Sequence, residues 1–182
     1  MGLISPKNEL AVLMYHTVGY QGGHLSLKPE SFEKQLAYLS NNNYKFMTLN
    51  EFLAAKNYLR PEQKGVLLTF DDGYKDFITE ALPILKKFHA SAVVFAHTSR
   101  SLDNLGNNFS LMNWDEIRIL KQAGIEIGNH SHTHPNLKEL TPEQLRDEFR
   151  ISEEIFQKEI GYIPRFFAYP SGRYSQKLVE AL

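Results

Sequence analysis

Short apolar runs alternate along this chain with amphipathic stretches of helical period, and that alternation restricts the fold more than any other feature of the sequence. Leu10–Tyr15, Tyr44–Leu49, Gly65–Phe70, Ser91–Ala96, Ile125–Gly128 and Phe166–Tyr169 each read as a buried strand. Helical patterns lie between them. Pro29–Ser40 buries Phe32, Leu36 and Leu39 at helical spacing, and Tyr74–Phe88 does the same with Phe77, Leu82, Ile84 and Leu85, with Pro83 expected to bend it. Asn113–Gln122 is a short helix. Thr141-Pro142-Glu143-Gln144 supplies a cap, a first-turn proline and an acidic first turn for a helix that runs to Ile160 and stops at Gly161. Strands alternating with helices predict an α/β domain with a parallel sheet of six strands, open or closed into a barrel. In such sheets ligand chemistry gathers at the C-terminal ends of the strands.

The bulk numbers narrow the class. With 182 residues, 42% hydrophobic and 12% aromatic, the chain can bury one sizeable core, and residues 1–182 are expected to form a single domain. Net charge is -1 from 20 basic and 21 acidic residues, mixed throughout, which gives no electrostatic footprint for nucleic acid or an anionic membrane. A neutral or weakly charged substrate fits better. Without cysteine, any metal must be held by His, Asp or Glu. No apolar run approaches the ~18 residues of a transmembrane span, and the start, Met1 to Lys7, lacks the apolar stretch of a signal peptide. The expectation is either a cytoplasmic protein or one whose leader is not included.

Two segments place chemistry at strand ends. Gly65–Phe70 runs into Asp71-Asp72-Gly73-Tyr74, and Gly73 permits a tight turn that brings both carboxylates toward one cavity. Ile125–Gly128 runs into Asn129-His130-Ser131-His132-Thr133-His134-Pro135, which holds three of the chain's seven histidines. A mononuclear hydrolytic centre needs about three protein ligands and an open position for water. His130 and His134 with one of the two Asp residues supply that set, and His132 is expected to point elsewhere, to a supporting contact or to solvent. His16 and His97 also lie at strand ends. A hydrogen-bonded structural role is the default for both, with pocket lining an alternative for His16. After Phe166–Tyr169, Pro170-Ser171-Gly172-Arg173-Tyr174 offers aromatic surface and backbone N–H groups at a bend, the ingredients of an oxyanion hole and a sugar-stacking wall.

In this order, Thr69-Phe70-Asp71-Asp72-Gly73-Tyr74, His130-Ser131-His132-Thr133-His134 and Phe167-Ala168-Tyr169-Pro170-Ser171-Gly172 resemble the first three motifs of carbohydrate esterase family 4, the NodB-homology polysaccharide deacetylases. The resemblance spans nearly the whole chain. Val12-Leu13-Met14-Tyr15-His16, Phe32-Glu33-Lys34-Gln35-Leu36 and Trp114-Asp115-Glu116-Ile117 are similar to the subgroup that deacetylates poly-β-1,6-N-acetylglucosamine. What the resemblance implies is a distorted (β/α) barrel with Asp71 as general base, Asp72, His130 and His134 as ligands of one divalent metal ion, and the backbone N–H of Ser171 at the oxyanion. Zinc is the expected metal, with cobalt or nickel as alternatives. Tyr74, Tyr169, Pro170, Trp114 and His16 complete the site as substrate-facing residues. The implied substrate is an N-acetylglucosamine-containing glycan outside the cell or at its surface.

Two departures from the family pattern carry expectations of their own. The third motif commonly has an Arg where this chain has Ala168, a change that itself resembles the biofilm-polysaccharide subgroup; Arg165 or Arg173 is the candidate substitute. The later Leu-x-His motif, whose His acts as general acid, has no counterpart in the ten residues after Gly172, which predicts a barrel incomplete at its C-terminus. The alternatives are a peptidoglycan N-acetylglucosamine deacetylase, a catalytically silent glycan-binding domain, and a cytoplasmic amidohydrolase acting on small amides.

Overall fold

The computed structural model of the chain describes residues 9–57, 64–99 and 110–181, so the amino-terminal segment weighed above as a leader lies outside the described residues. The chain up to Phe70 forms one unit together with Asp76–Val93, and Asp71–Lys75 forms a second with the chain from Val94 onward.

In the first unit the elements follow as β1 (Glu9–Tyr15), β2 (Thr17–Val18), β3 (Ser26–Leu27), α1 (Pro29–Asn41), β4 (Lys45–Phe46), α2 (Leu49–Asn57), β5 (Lys64–Phe70), a π-turn at Phe77–Ala81 and α3 (Leu82–Lys87). β5 is buried from Gly65 to Phe70, as the continuous apolar run of a parallel strand requires. It pairs in parallel with β1 from Glu9 opposite Lys64 to Tyr15 opposite Phe70, and with β4 at Gly65 and Val66. Tyr15, Phe32, Phe70 and Phe77 knit the C-terminal ends of β1 and β5 to α1 and the π-turn, with ring centroids 4.7 to 5.7 Å apart. Such aromatic pairs contribute ~0.5–1.5 kcal/mol each beyond the area they bury. Phe70 and Phe77 bracket residues 71–76 in the chain, so this cluster anchors both ends of the segment that carries the paired aspartates.

Two expectations for this unit change. Tyr44–Leu49 is not one strand: pairing is confined to Lys45–Phe46, and Leu49 opens α2. The cause is a capping box, in which the Glu51 N–H donates to Thr48 Oγ1 at 3.2 Å and the Thr48 N–H donates to Glu51 Oε2 at 3.0 Å. Helical structure begins at Phe77 instead of Tyr74, because Gly73 and Lys75 exchange backbone hydrogen bonds with Met112 and Ser110. Pro83 has no N–H and cannot close an ordinary helical turn onto residue 79, so the chain widens into the π-turn just before it.

The second unit contains β6 (Val93–Ala96), whose first residue still belongs to the first unit, then α4 (Trp114–Gln122), β7 (Glu126–Asn129), α5 (Pro142–Ile160) and α6 (Gln176–Ala181), with 3-10 turns at Leu137–Glu139 and Pro170–Gly172. Asn113 with Glu116, and Thr141 with Gln144, close capping boxes at the starts of α4 and α5. β6 and β7 are neighbours in the sheet. A Cβ on Gly128 would stand 2.3 Å from the Phe95 ring, so only glycine lets β7 pass this close before it delivers Asn129 and His130. Phe166–Tyr169, expected as a strand, reduces to a single parallel bridge between Asn129 and Phe167. Pro164 and Pro170 flank it, and neither can donate a ladder hydrogen bond.

Among the described residues β1 pairs with β5 alone, so the barrel is not closed at that edge. Val12 and Met14 are 52% and 62% exposed there, beside an apolar groove of about 640 Å³ between β1 and α1. A bare strand edge with apolar side chains templates self-association. Sedimentation velocity should therefore show concentration-dependent association of this chain that Val12→Lys with Met14→Glu abolishes; identical profiles for both proteins would refute it.

Asp76 generates a second prediction. Its carboxylate is buried without a hydrogen bond of good geometry, and burial, reinforced by the charge of Glu80, pushes it up to about 7 despite the nearby N–H groups of Phe77 and Val18. Because the folded value lies above the unfolded one, the contribution of Asp76 to stability is full in acid and is lost as pH rises through about 7. The melting temperature of the parent minus that of Asp76→Asn should fall between pH 4 and 8. A pH-independent difference would show that Asp76 does not titrate abnormally.

Candidate metal centre

Among the described residues, four of the six non-glycine residues with positive φ lie in the three site segments: Asp72 (69°), Ser131 (70°), His134 (57°) and Ser171 (54°). Left-handed backbone at such residues costs about 1–3 kcal/mol each and persists only where surrounding bonds over-determine it, with Asp the most tolerant of the four. The bonds are present. The Gly73 N–H donates to the Asp71 carbonyl at 2.9 Å and closes the turn at Asp72. Asn129 Oδ1 accepts the Ser131 N–H at 2.9 Å, and Ser131 Oγ accepts the His134 N–H at 3.1 Å.

These turns bring the side chains of Asp72, His130 and His134 together in the second unit, with one donor atom from each within 4.8 Å of the others. Asp72 Oδ1 lies 3.4 Å from His130 Nε2 and 3.3 Å from His134 Nε2. Nitrogen and oxygen ligands at about 2.0–2.1 Å in a tetrahedron stand about 3.3–3.4 Å apart, so the spacing fits a small divalent ion. The tautomer fits as well. His130 Nδ1 is 2.8 Å from the Ala168 carbonyl, which can only accept, so Nδ1 carries the proton and Nε2 keeps its lone pair for a ligand.

The electrostatics point the same way. Burial alone would push the His130 imidazole down, but its contact with Asp72, the charges of Asp71 and Asp72 and the Ala168 carbonyl outweigh it and hold the group above its ordinary value. A field that favours a proton at this spot favours a metal cation there too. Asp71 is half-buried and near enough for its charge to act on His130.

The supporting contacts lie where sequence patterns do not reach. Glu148 of α5 accepts the N–H groups of His132 and Thr133 on Oε2, both at 2.9 Å, and the Thr133 hydroxyl on Oε1 at 2.6 Å. Asn129 Nδ2 donates to Ser152 Oγ at 2.9 Å, which ties the same loop to α5 a second time. His132 turns to Thr98 Oγ1 at 2.9 Å, and buried His97 pairs through Nδ1 with Ser99 Oγ at 3.2 Å. Glu148 was missed because it sits 16 residues beyond His132, on a helix whose pattern reports only its own buried face.

The remaining site residues divide. Tyr169 is half-buried in an aromatic row from Phe149 through Phe167 and Tyr169 to Tyr174, with successive ring centroids 4.9, 5.3 and 5.5 Å apart and Tyr174 exposed at its end. Pro170 is buried and opens the turn in which Ser171 sits, closed by the Gly172 N–H on the Tyr169 carbonyl and the Arg173 N–H on the Pro170 carbonyl. Trp114 packs edge-on against Phe156. Tyr74 is only 2% exposed and bridges to Leu111, which places it under the site as packing instead of on its surface. His16 belongs to the first unit, where it lines a pocket with His24 and Gln35. Arg165 lies over the Phe166 ring.

The sequence profile of the polysaccharide deacetylase family matches residues 59–182, and the chain belongs to that family. It is 32% identical to the Bacillus subtilis protein YxkH over 95% of its own length and 60% of that protein's. It is 25% identical to the poly-β-1,6-N-acetyl-D-glucosamine N-deacetylase of Staphylococcus epidermidis over 86% of its own length and 57% of that protein's. The chain thus spans about 60% of these relatives. Among solved structures it superposes on the Streptococcus pyogenes deacetylase PplD in complex with acetate (TM-score 0.81, 29% identity, 95% of this chain and 78% of that one). IcaB from Ammonifex degensii superposes equally well (TM-score 0.81, 26% identity, 96% of this chain and 79% of that one). The α/β architecture of the NodB type expected from the motifs is borne out by these likenesses.

Loss of outer contacts to metal-binding loops costs ~10–100-fold in metal affinity. Glu148→Ala should therefore weaken Co²⁺ binding by about that factor in a chelator-competition titration and alter the visible spectrum of the bound ion. Parental affinity and spectrum in this variant would show that the Glu148 contacts do not position the ligands.

Proposed function

We infer that this chain is the catalytic part of a metal-dependent N-deacetylase that removes acetyl groups from a poly-β-1,6-N-acetylglucosamine glycan outside the cell or at its surface. The observation that carries the inference is one buried carboxylate oxygen, Asp72 Oδ1, set 3.3–3.4 Å from two imidazole Nε2 atoms with a second carboxylate, Asp71, next to it in the chain. The name of the staphylococcal relative supports the glycan, and the acetate held by the streptococcal deacetylase is the acid such a reaction releases.

One divalent ion held by Asp72, His130 and His134, zinc before cobalt or nickel, would supply a Lewis-acid charge for the acetamide oxygen and acidify water. Asp71 takes a proton from the attacking water as that oxygen adds to the acetamide carbon. The role assigned to the Ser171 N–H is to donate to the charge developing on the carbonyl oxygen. Cleavage of the C–N bond then leaves acetate and the amine, and the proton held by Asp71 becomes available to the departing nitrogen. The aromatic row ending at Tyr174 offers a stacking surface for the sugar ring.

The two aspartates separate in a single experiment. Acetate release from β-1,6- and β-1,4-linked N-acetylglucosamine oligomers is measured with metal content on the same preparations. Losing a general base costs about 10²- to 10⁴-fold in rate. Asp71→Asn should fall by that factor on the β-1,6 oligomer with its metal intact, whereas Asp72→Asn should lose the metal and turnover together. Preference for the β-1,4 oligomer would assign the chain to peptidoglycan instead, and no acetate from either would refute the deacetylase role.

A further inference from the structure

In the second unit, Asp71–Lys75 lies antiparallel to residues 110–112. The Met112 N–H donates to the Gly73 carbonyl at 3.0 Å, the Lys75 N–H donates to the Ser110 carbonyl at 2.7 Å, and Tyr74 bridges to Leu111 between them. The segment is left-handed at both Asp72 and Gly73, a course that lasts only where surrounding bonds over-determine it.

A side-chain hold comes from Glu116, in the first turn of α4. Both of its oxygens are engaged. Oε2 accepts the Asn113 N–H at 2.8 Å as half of the capping box, and Oε1 lies 2.8 Å from Lys75 Nζ. Asn113 directly follows residues 110–112 and Lys75 ends the aspartate segment, so one carboxylate joins the two stretches that pair there. Asp115, the other acid of that turn, is taken up by Arg118 at 2.6 Å. The Glu116 side chain is 19% exposed against 84% for Asp115, so its ion pair is the less screened by water.

The helix that receives Lys75 is itself fixed. Arg118 Nη1 donates to the Glu159 carbonyl at 2.9 Å and Lys121 Nζ donates to the Ile160 carbonyl at 2.8 Å, both at the C-terminus of α5, where cations answer the helix dipole. α5 in turn holds His132 and Thr133 through Glu148. A chain of contacts thus runs from the Asp72 segment through Lys75, Glu116, α4 and α5 to the histidine loop.

We propose that Glu116 is a positioning residue that sets Asp72 against His130 and His134 by clipping Lys75 to the start of α4. The clip itself stands without any function. Its effect on a bound ion rests on the metal site inferred above.

Glu116→Gln separates the two jobs of the carboxylate, because glutamine also serves at this position of a capping box but carries no charge for Lys75. Amide hydrogen exchange of the full chain reads the clip without metal. Losing an ion pair of this exposure costs a factor of about 2 to 5, so the Lys75 and Met112 amides should exchange that much faster in Glu116→Gln and in Lys75→Met. Amides of α4 and the melting temperature should stay parental. The double variant should exchange no faster than either single one, Lys75→Arg should match the parent, and high salt should erase the difference. On the same proteins, the Co²⁺ dissociation constant from chelator competition should rise about 2- to 5-fold in Glu116→Gln and in Lys75→Met. Parental exchange in both single variants, additive effects in the double, or faster exchange throughout α4 would overturn the clip. Faster exchange at Lys75 and Met112 with parental Co²⁺ affinity would overturn the positioning role. A parent that takes up no Co²⁺ refutes the metal site and the positioning role with it, while the exchange data still decide the clip.

Discussion

One carboxylate oxygen shared between two imidazoles is the constraint around which the second unit is arranged. Asp72 is 2% exposed, and a carboxylate so buried is tolerated only among groups that answer its charge. His130 and His134 do so from a loop whose backbone is held left-handed at two places. That loop is tied to α5 through Glu148 and through Asn129 with Ser152. The glycine at position 128, which lets β7 run against Phe95, therefore serves the loop as much as the sheet. The clamp on the aspartate side is aromatic: Phe70 and Phe77, locked into one ring cluster, directly flank the six-residue segment 71–76, which has to turn sharply at Asp72 and Gly73.

Much of this was legible in the sequence because the responsible forces are local. Strands β1, β5, β6 and β7 and helices α1, α4 and α5 announce themselves through apolar period and caps, and Asp72, His130 and His134 through their place directly after strands. What escaped depended on weak or distant signals. The Thr48-to-Glu51 capping box is outweighed in the sequence by the apolar character of the residues around it, so a helix start there has the pattern of a strand end. The run Phe166–Tyr169 has strand composition but is boxed in by prolines and makes one bridge. Tyr74 sits beside the aspartates in sequence yet is directed into the core by the turn at Gly73, a reversal that composition does not encode.

The site also shows how little of its geometry is carried by the motif residues themselves. Three histidines lie within five positions, yet only two face Asp72; the third is taken up by Thr98. The discrimination comes from the left-handed residues Ser131 and His134, which break what would otherwise be a regular alternation of side chains. Their cost of about 1–3 kcal/mol each is a noticeable fraction of the roughly 5–15 kcal/mol that stabilises a domain, so the loop holds its shape only with its hydrogen bonds complete.

The bond from His130 to residue 168 ends on a main-chain carbonyl. Any amino acid presents that same acceptor, so the identity of the side chain at 168 does not enter into fixing the tautomer of the imidazole. An alanine where many family members have arginine leaves this part of the site untouched. What this bond requires is the course of the backbone, held by the bridge between Asn129 and Phe167 and flanked by the prolines at 164 and 170, so here the third motif works as a path more than as a set of side chains.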